Sequence, residues 1–273
     1  MSWHARLQLA FERRDEVTRL VDRSHEGPLR VQKMLYPEGG GVCHAIILHP
    51  PGGIAGGDAL NLCVELRNGA QVLMTTPGSG KWYKANGRPA FQQLQFRLAQ
   101  DAMLEWLPQE SQYFRDCDAR TGVRIELDND AHYAGWEIAC LGRRASGEVF
   151  DQGRMQGKTE LWRAGRRLFL DQILLQAGGV LQHSPAGLAG MPVHGSFVVS
   201  AGPLPDSLLD QCRALLRSVA PARAAVSALP ELLVVRYAGW HASEARDCFD
   251  QIRHLLRPWY AKREYCRPRI WNT

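Results

Sequence analysis

The 273-residue sequence has no long hydrophobic run and none of the short cysteine or histidine spacings that are typical of metal sites. No stretch of about 18 apolar residues occurs, which argues against a membrane-spanning helix. The seven cysteines form no CxxC motif and the nine histidines form no HxH or HxxxH motif. The spacing therefore predicts neither a structural zinc site nor a disulfide framework.

Lysine is also scarce, because arginine supplies 28 of the 33 basic residues. The arginines are scattered and form no stripe with interleaved aromatic residues, so nothing indicates a nucleic-acid groove despite a net charge of +5. The first 14 residues mix arginine and glutamate with isolated apolar residues, unlike a signal peptide. Together with unpaired cysteines, this pattern predicts a protein of the reducing cytoplasm, with no membrane partner.

Residues 1–202 are typical of β-structure. Apolar side chains alternate with polar ones in three segments, 62–66, 94–98 and 123–127, which is the period of a half-buried strand. Glycine, proline, asparagine and aspartate separate the segments. Further candidate strands are Val31–Leu35, Ala45–Leu48, Gln71–Thr75, Met103–Leu107, Trp136–Leu141 and Phe197–Ser200.

Residues 203–273 differ in pattern. Helical spacing of apolar residues begins near Asp206 and again at Ser243, where it is expected to end at Pro258, and Leu232–Tyr237 lies between as a candidate strand. The apolar tail, residues 267–271, is expected to dock onto the protein. We predict one mainly β domain over 1–273, β-rich over 1–202, with about two α-helices in 203–273.

Known catalytic patterns fit poorly. Gly78–Lys81 lacks the upstream glycine and the following hydroxyl of a phosphate-binding loop, and Gly52–Asp58 lacks the spacing of a dinucleotide fingerprint. The second segment instead predicts a turn with positive φ at its glycines. Glu105 and Glu110 flank a tryptophan, as paired carboxylates of a carbohydrate-active enzyme do, although pairing with arginine is the alternative.

Four segments in order are more informative than any of these patterns. They are GPLRVQK with YPE (residues 27–38), HPPGGIAGGD (49–58), TTPGSGKWYK (75–84) and LEWLPQE (104–110). In this order the chain resembles the UreD family of urease accessory proteins, also called UreH. The motif residues that carry the likeness are His49, Pro50, Pro51, Gly52, Gly53, Gly56, Gly57, Lys81, Tyr83 and Trp106.

The resemblance implies a β-helix-like fold and a protein that is not an enzyme. Members bind the urease apoprotein and recruit an F-type accessory protein, which carries a G-type GTPase. The complex inserts nickel into the urease active site, and a water-filled channel is the suggested nickel path. The resemblance implies transient nickel(II) and no tightly bound cofactor. Ser79 and Gly80 depart from the usual family residues.

A nickel relay must release its ion, and oxygen ligands hold nickel less tightly than imidazole or thiolate sets. We therefore expect polar residues of the family motifs to line such a path. The candidates are Asp58, Thr76, Ser79, Glu105, Glu110, Glu137 and Glu148. An adaptor that joins partners without touching nickel is the remaining alternative.

Overall fold

Two β-sheets and a layer of helices build the protein, as seen in a computed structural model that describes residues 2–219 and 223–272. The strands are β1 His4–Arg14, β2 Val17–Glu26, β3 Arg30–Val31, β4 Val42–Leu48, β5 Ala59–Leu66, β6 Gln71–Thr75, β7 Gly80–Trp82, β8 Ala90–Leu98, β9 Met103–Leu107, β10 Ser111–Tyr113, β11 Cys117–Leu127, β12 His132–Leu141, β13 Gly153–Arg163, β14 Arg166–Gln176, β15 Val193–Ser200, β16 Arg223–Leu229 and β17 Leu232–Gly239. The α-helices are α1 Val180–His183, α2 Asp206–Val219 and α3 Ala242–Ala261.

Sheet 1 has the strand order β14-β13-β11-β8-β5-β1-β2, and sheet 2 has the order β16-β17-β15-β12-β9-β6-β4-β3, with β10 beside β12 and β7 beside β10. From β4 to β13 the chain passes back and forth between the sheets, and successive strands within each sheet are parallel. This coiled path is solenoid-like. Antiparallel strands close both ends of each sheet.

One hydrophobic core occupies part of the space between the sheets. The alternating residues that the sequence singled out lie there, including Leu62 on β5, Phe96 on β8 and Ile125 on β11. Their polar neighbours point outward because successive strand side chains face opposite sides of a sheet. The mainly β fold predicted from the strand pattern is therefore confirmed, and so is the β-helix-like arrangement that the family resemblance implies.

A second core lies between sheet 2 and the helices. Trp136 on β12 contacts Phe197 on β15 and Phe249 on α3, with ring centroids 5.6 and 6.2 Å apart. Sheet 2 is thus buried on both faces, whereas sheet 1 has one core-facing side. None of the helices among the described residues is long and apolar enough to cross a bilayer.

Two details of the C-terminal part bear on its predicted structure. The sequence predicts an end of helix α3 at Pro258, but the helix continues to Ala261. The next residue, Lys262, has a φ of 52°. The last helical turn forms despite the proline because the buried Tyr260 side chain is held by its hydrogen bond to Glu105. The tail is docked as predicted, since Trp271 packs on Trp136 and its Nε1 donates to Thr75 Oγ1 at 2.8 Å.

A buried ionic cluster fixes α3 on sheet 2. Glu105 on β9 accepts hydrogen bonds from Arg253 Nε at 2.7 Å, Arg257 Nε at 3.1 Å and the Tyr260 hydroxyl at 2.6 Å. The side chains of Glu105 and of both arginines are 0% exposed. Burial alone would raise the pKa of Glu105, but the two guanidinium charges outweigh it and lower the pKa to about 2. We call these four residues the Glu105 cluster.

Replacing Glu105 by glutamine should destabilise the protein by about 3–5 kcal/mol, because the carboxylate shared by two buried guanidinium groups is lost and only Glu38 and Asp250 remain as their acidic partners. Urea unfolding followed by circular dichroism measures the change. The matched control is Glu148→Gln, which removes the more exposed Arg143–Glu148 pair and should cost far less. Equal losses in the two variants would contradict a dominant role for the buried cluster.

Candidate functional site

A cavity of about 620 Å³ lies between the two sheets. Strands β5, β8, β11, β13 and β14 line it from sheet 1, and β9, β12, β15 and β17 line it from sheet 2. The loop that carries the HPPGG segment and the turn before β7 complete the wall. We call this space the interior cavity.

Polar atoms without partners face the interior cavity. His49 Nε2, Trp106 Nε1 and His194 Nε2 are buried, and within residues 2–219 and 223–272 they have no hydrogen-bond partner. All three residues belong to the cavity wall. Leaving a buried polar atom unpaired costs free energy, so these atoms favour water or a polar guest in the space.

Glu137 provides the acidic group of the wall. Glu137 follows Trp136 on β12, and successive side chains of a strand face opposite sides of the sheet. Trp136 therefore lies in the helix-facing core, and Glu137 faces the cavity. Its register partner on β15 is Ser196, and the next residue across is Arg236 on β17. Among the described residues, no side chain hydrogen-bonds or ion-pairs with the Glu137 carboxylate.

Burial acts in opposite directions on the two titratable groups of this wall. It raises the pKa of Glu137 to about 7, with a further contribution from the negative charge of Asp171. It lowers the pKa of His194 to about 4, and the positive charge of Arg236 adds to the effect. Asp171 is itself paired with Arg236 at 2.8 Å. Near neutral pH, His194 is therefore neutral. The Glu137 side chain borders open cavity space, so water there lessens the upward shift of its pKa.

The HPPGGIAGGD segment forms the tight turn that the sequence predicts. Gly52 and Gly57 have φ values of 78° and 94°, so the predicted positive φ is confirmed at these two glycines. A Cβ on Gly56 would lie 1.8 Å from the Ala85 carbonyl oxygen. Asp58 closes the turn by accepting from Trp3 N at 2.7 Å and Ala55 N at 2.8 Å.

Two further contacts join this turn to the TTPGSGKWYK segment. The backbone nitrogen of Ile54 donates to the Lys81 carbonyl at 2.7 Å, and the Tyr83 ring occupies the space that a Cβ on Gly53 would need. Thr76 Oγ1 accepts from Gln109 N at 2.9 Å. Motif residues distant in the sequence therefore meet at one end of the cavity.

Three of the seven path candidates, Thr76, Ser79 and Glu137, line the interior cavity, and the other four do not. Asp58 caps its turn, and Glu105 lies on the helix-facing side of β9. Glu110 pairs with Arg246 at 2.9 Å, and Glu148 pairs with Arg143 at 2.8 Å. Four of the seven have local hydrogen-bond or ion-pair partners, and the role of all seven in a nickel path stays a prediction.

The carbohydrate-enzyme alternative does not fit this geometry. Glu105 is fully buried and its low pKa keeps it ionised, so it is unsuited to act as a general acid. Glu110 is held by a different arginine. The competing interpretation, in which these carboxylates pair with arginine, is confirmed.

Several residues of the cavity wall are not indicated by any sequence pattern. Asp171, His194 and Arg236 lie outside the recognised segments, and each alone has the pattern of an ordinary strand residue. Their inward orientation depends on the pairing of β14, β15 and β17, which short-range alternation does not reveal. Of the two histidines that flank the loop before β15, His194 belongs to the cavity wall and His183 does not.

Comparison with known proteins matches a family described as UreD urease accessory protein over residues 4–272. The chain is 46% identical to a urease accessory protein UreD of Methylobacillus flagellatus over 271 residues, which cover 99% of this chain and 95% of the relative. It is 47% identical to a protein of the same name from Pseudomonas fluorescens over 272 residues, covering 100% and 96% of the two chains.

Changing Glu137 to glutamine should stabilise the protein at about pH 8 and have little effect near pH 5. The folded protein binds the Glu137 proton more firmly than the unfolded chain, so wild-type stability falls as the pH rises from the ordinary glutamate range through about 7. Thermal unfolding across this pH range measures the difference. Glu148→Gln should instead lose stability at neutral pH, because the pKa of Glu148 is lowered by Arg143. A pH-independent effect of Glu137→Gln would contradict the assignment.

Changing Gly56 to alanine should destabilise the fold by about 1–3 kcal/mol, because the added methyl group meets the Ala85 backbone. Gly78→Ala is the matched control, since a Cβ there meets nothing within 4 Å. Urea unfolding of both variants measures the difference. Comparable stabilities would show that the turn relaxes without cost.

Proposed function

Because the chain belongs to the UreD family of urease accessory proteins, we propose that it is a maturation factor through whose interior cavity nickel(II) passes to urease. The observation that carries this proposal is the unpaired Glu137 carboxylate in a cavity with three unpartnered nitrogen atoms. In this proposal nickel is the cargo and the chain carries out no catalytic step.

The chemistry of the wall suits transfer better than storage. The Glu137 carboxylate and the Ser79 hydroxyl offer oxygen ligands, which bind nickel less tightly than a set of thiolates or imidazoles. His49 and His194 add nitrogen atoms at other points of the wall. Separate weak sites allow an ion to enter and leave.

The partners in this proposal are the urease apoprotein, an F-type accessory protein and a G-type GTPase that joins through the F-type protein. The names of the relatives support a role with urease, and the individual partners are inferred from the family resemblance. We place the complex in the cytoplasm. GTP hydrolysis by the G-type protein would accompany nickel insertion.

The adaptor alternative differs at one point. An adaptor would join the same partners without contacting nickel, so changes in the cavity wall would leave activation intact. The unpaired Glu137 carboxylate favours the conduit, because a mere adaptor gains nothing from an unpaired acidic group between its sheets.

Co-expression tests the general role. Urease subunits and the F-type and G-type proteins are produced with and without this chain, and bound nickel and activity are measured on purified urease. We expect both to collapse when the chain is omitted. Unchanged nickel and activity would overturn the maturation role itself.

Cavity variants test the conduit. Glu137→Gln and Ser79→Ala should each reduce the rate at which urease is loaded with nickel. In the double variant the rate should fall by about tenfold or more, which is the loss typical when groups that surround a metal site are removed. Co-purification with urease verifies assembly, and Glu148→Gln is the control because it alters a carboxylate outside the cavity. Normal loading by the assembled double variant would favour the adaptor.

A further inference from the structure

Three side chains with metal-binding chemistry meet far from the interior cavity. Glu38 lies in the turn before β4, His44 lies on β4, and Cys266 lies in the segment after α3. A carboxylate oxygen, an imidazole nitrogen and the thiol sulfur are all within 4.8 Å of one another. None of the three residues belongs to the cavity wall.

The spacing of the three atoms suits a tetrahedral ion. Bonds of about 2.0–2.3 Å require ligand atoms roughly 3.3–3.8 Å apart. His44 Nε2 lies 2.7 Å from Glu38 Oε1, so this pair must separate slightly, while the sulfur must approach by about 1 Å at most. Rotation of the Cys266 side chain in its loop provides that movement.

The environment is enclosed on one side and open on the other. The Glu38 and His44 side chains are 9% and 5% exposed, whereas Cys266 is half-buried. Within the described residues, the Cys266 thiol makes one weak contact, to the Arg267 carbonyl oxygen at 3.9 Å. The sulfur is therefore available to a ligand, and the ion has a route from solvent.

A neighbouring arginine limits the affinity of the three side chains for a metal ion. Arg257 donates to both oxygens of Glu38, at 2.6 and 2.8 Å, and also contacts Glu105. An ion at Oε1 would displace the Arg257 Nη2 contact to that oxygen, while Oε2 stays on Arg257 and Glu105 continues to balance the guanidinium charge. Repulsion between the ion and Arg257 makes this a site of moderate affinity.

We propose that Glu38, His44 and Cys266 bind one divalent ion of the zinc class, with water in the fourth position. One thiolate, one imidazole and one carboxylate form a ligand set that suits zinc and disfavours magnesium and calcium, which require mostly oxygen ligands. This site goes beyond the proposed nickel path. Sequence spacing missed it because its ligands come from opposite ends of the chain.

The ion would fasten the C-terminal segment, residues 262–272, to the turn between β3 and β4. Beyond Cys266 this segment reaches Trp271, which packs on Trp136 and hydrogen-bonds Thr75. An ion at Cys266 would thus add a second attachment point to a segment already held at its far end.

Cobalt(II), which has the coordination preferences of zinc and a visible spectrum, provides the test. The full-length protein is titrated with cobalt while absorption is recorded, and zinc is then added as a competitor. We expect one equivalent of cobalt to give a thiolate-to-metal charge-transfer band that zinc abolishes. Cys266→Ser should remove the band, and Glu38→Gln should weaken binding by about tenfold or more.

Two controls make the result specific. Cys63→Ser changes the other half-buried cysteine and should leave the band intact, and Glu137→Gln should leave it intact because the interior cavity is separate. Circular dichroism of each metal-free variant verifies folding. Absence of the band, or its survival in folded Cys266→Ser, would overturn the site without affecting the nickel-path proposal, which is read from urease loading.

Discussion

The buried Glu105 cluster is the interaction on which the arrangement of the protein depends. Glu105 projects from β9 into the helix layer, and Arg253, Arg257 and Tyr260 reach it from α3. Removing charged groups from water is costly, so this contact stabilises only a single arrangement in which all partners meet. It therefore fixes the position of α3 on sheet 2, and Arg257 extends the network to the turn at Glu38.

Sheet 2 is covered on both faces, by the helices on one side and by sheet 1 on the other. Glu105 and Trp136 face α3, while their chain neighbours Trp106 and Glu137 face the interior cavity. The two glutamates differ both in their surroundings and in their partners: Glu105 is fully buried, whereas the Glu137 side chain borders the open space of the interior cavity. Glu105 with two arginines has its pKa lowered to about 2, and Glu137 without a partner has its pKa raised to about 7.

Sequence periodicity predicted a large part of this architecture. Gln71–Thr75 and Met103–Leu107 are strands with the predicted bounds, because each is a short apolar run between turns. Alternation also implies that Glu105 and Trp106 face opposite ways, but it does not reveal which face meets the helices. The pairing of Glu38 with Arg257 spans almost the whole chain, so no local pattern could have indicated it, and the same holds for His194 in the cavity wall.

The family motifs predicted a local turn but did not indicate the partners of the acidic residues in them. The glycines of the HPPGG segment are required by steric contacts of the turn, so the motif predicts its own local structure. The acidic residues nearby were assigned to a path because they are polar and share those motifs. Asp58, Glu105, Glu110 and Glu148 instead have local partners, whereas the Glu137 carboxylate has none among the described residues. Membership in a motif therefore indicates how a segment folds, whereas the partners of its acidic residues depend on which distant strands and helices pack against it.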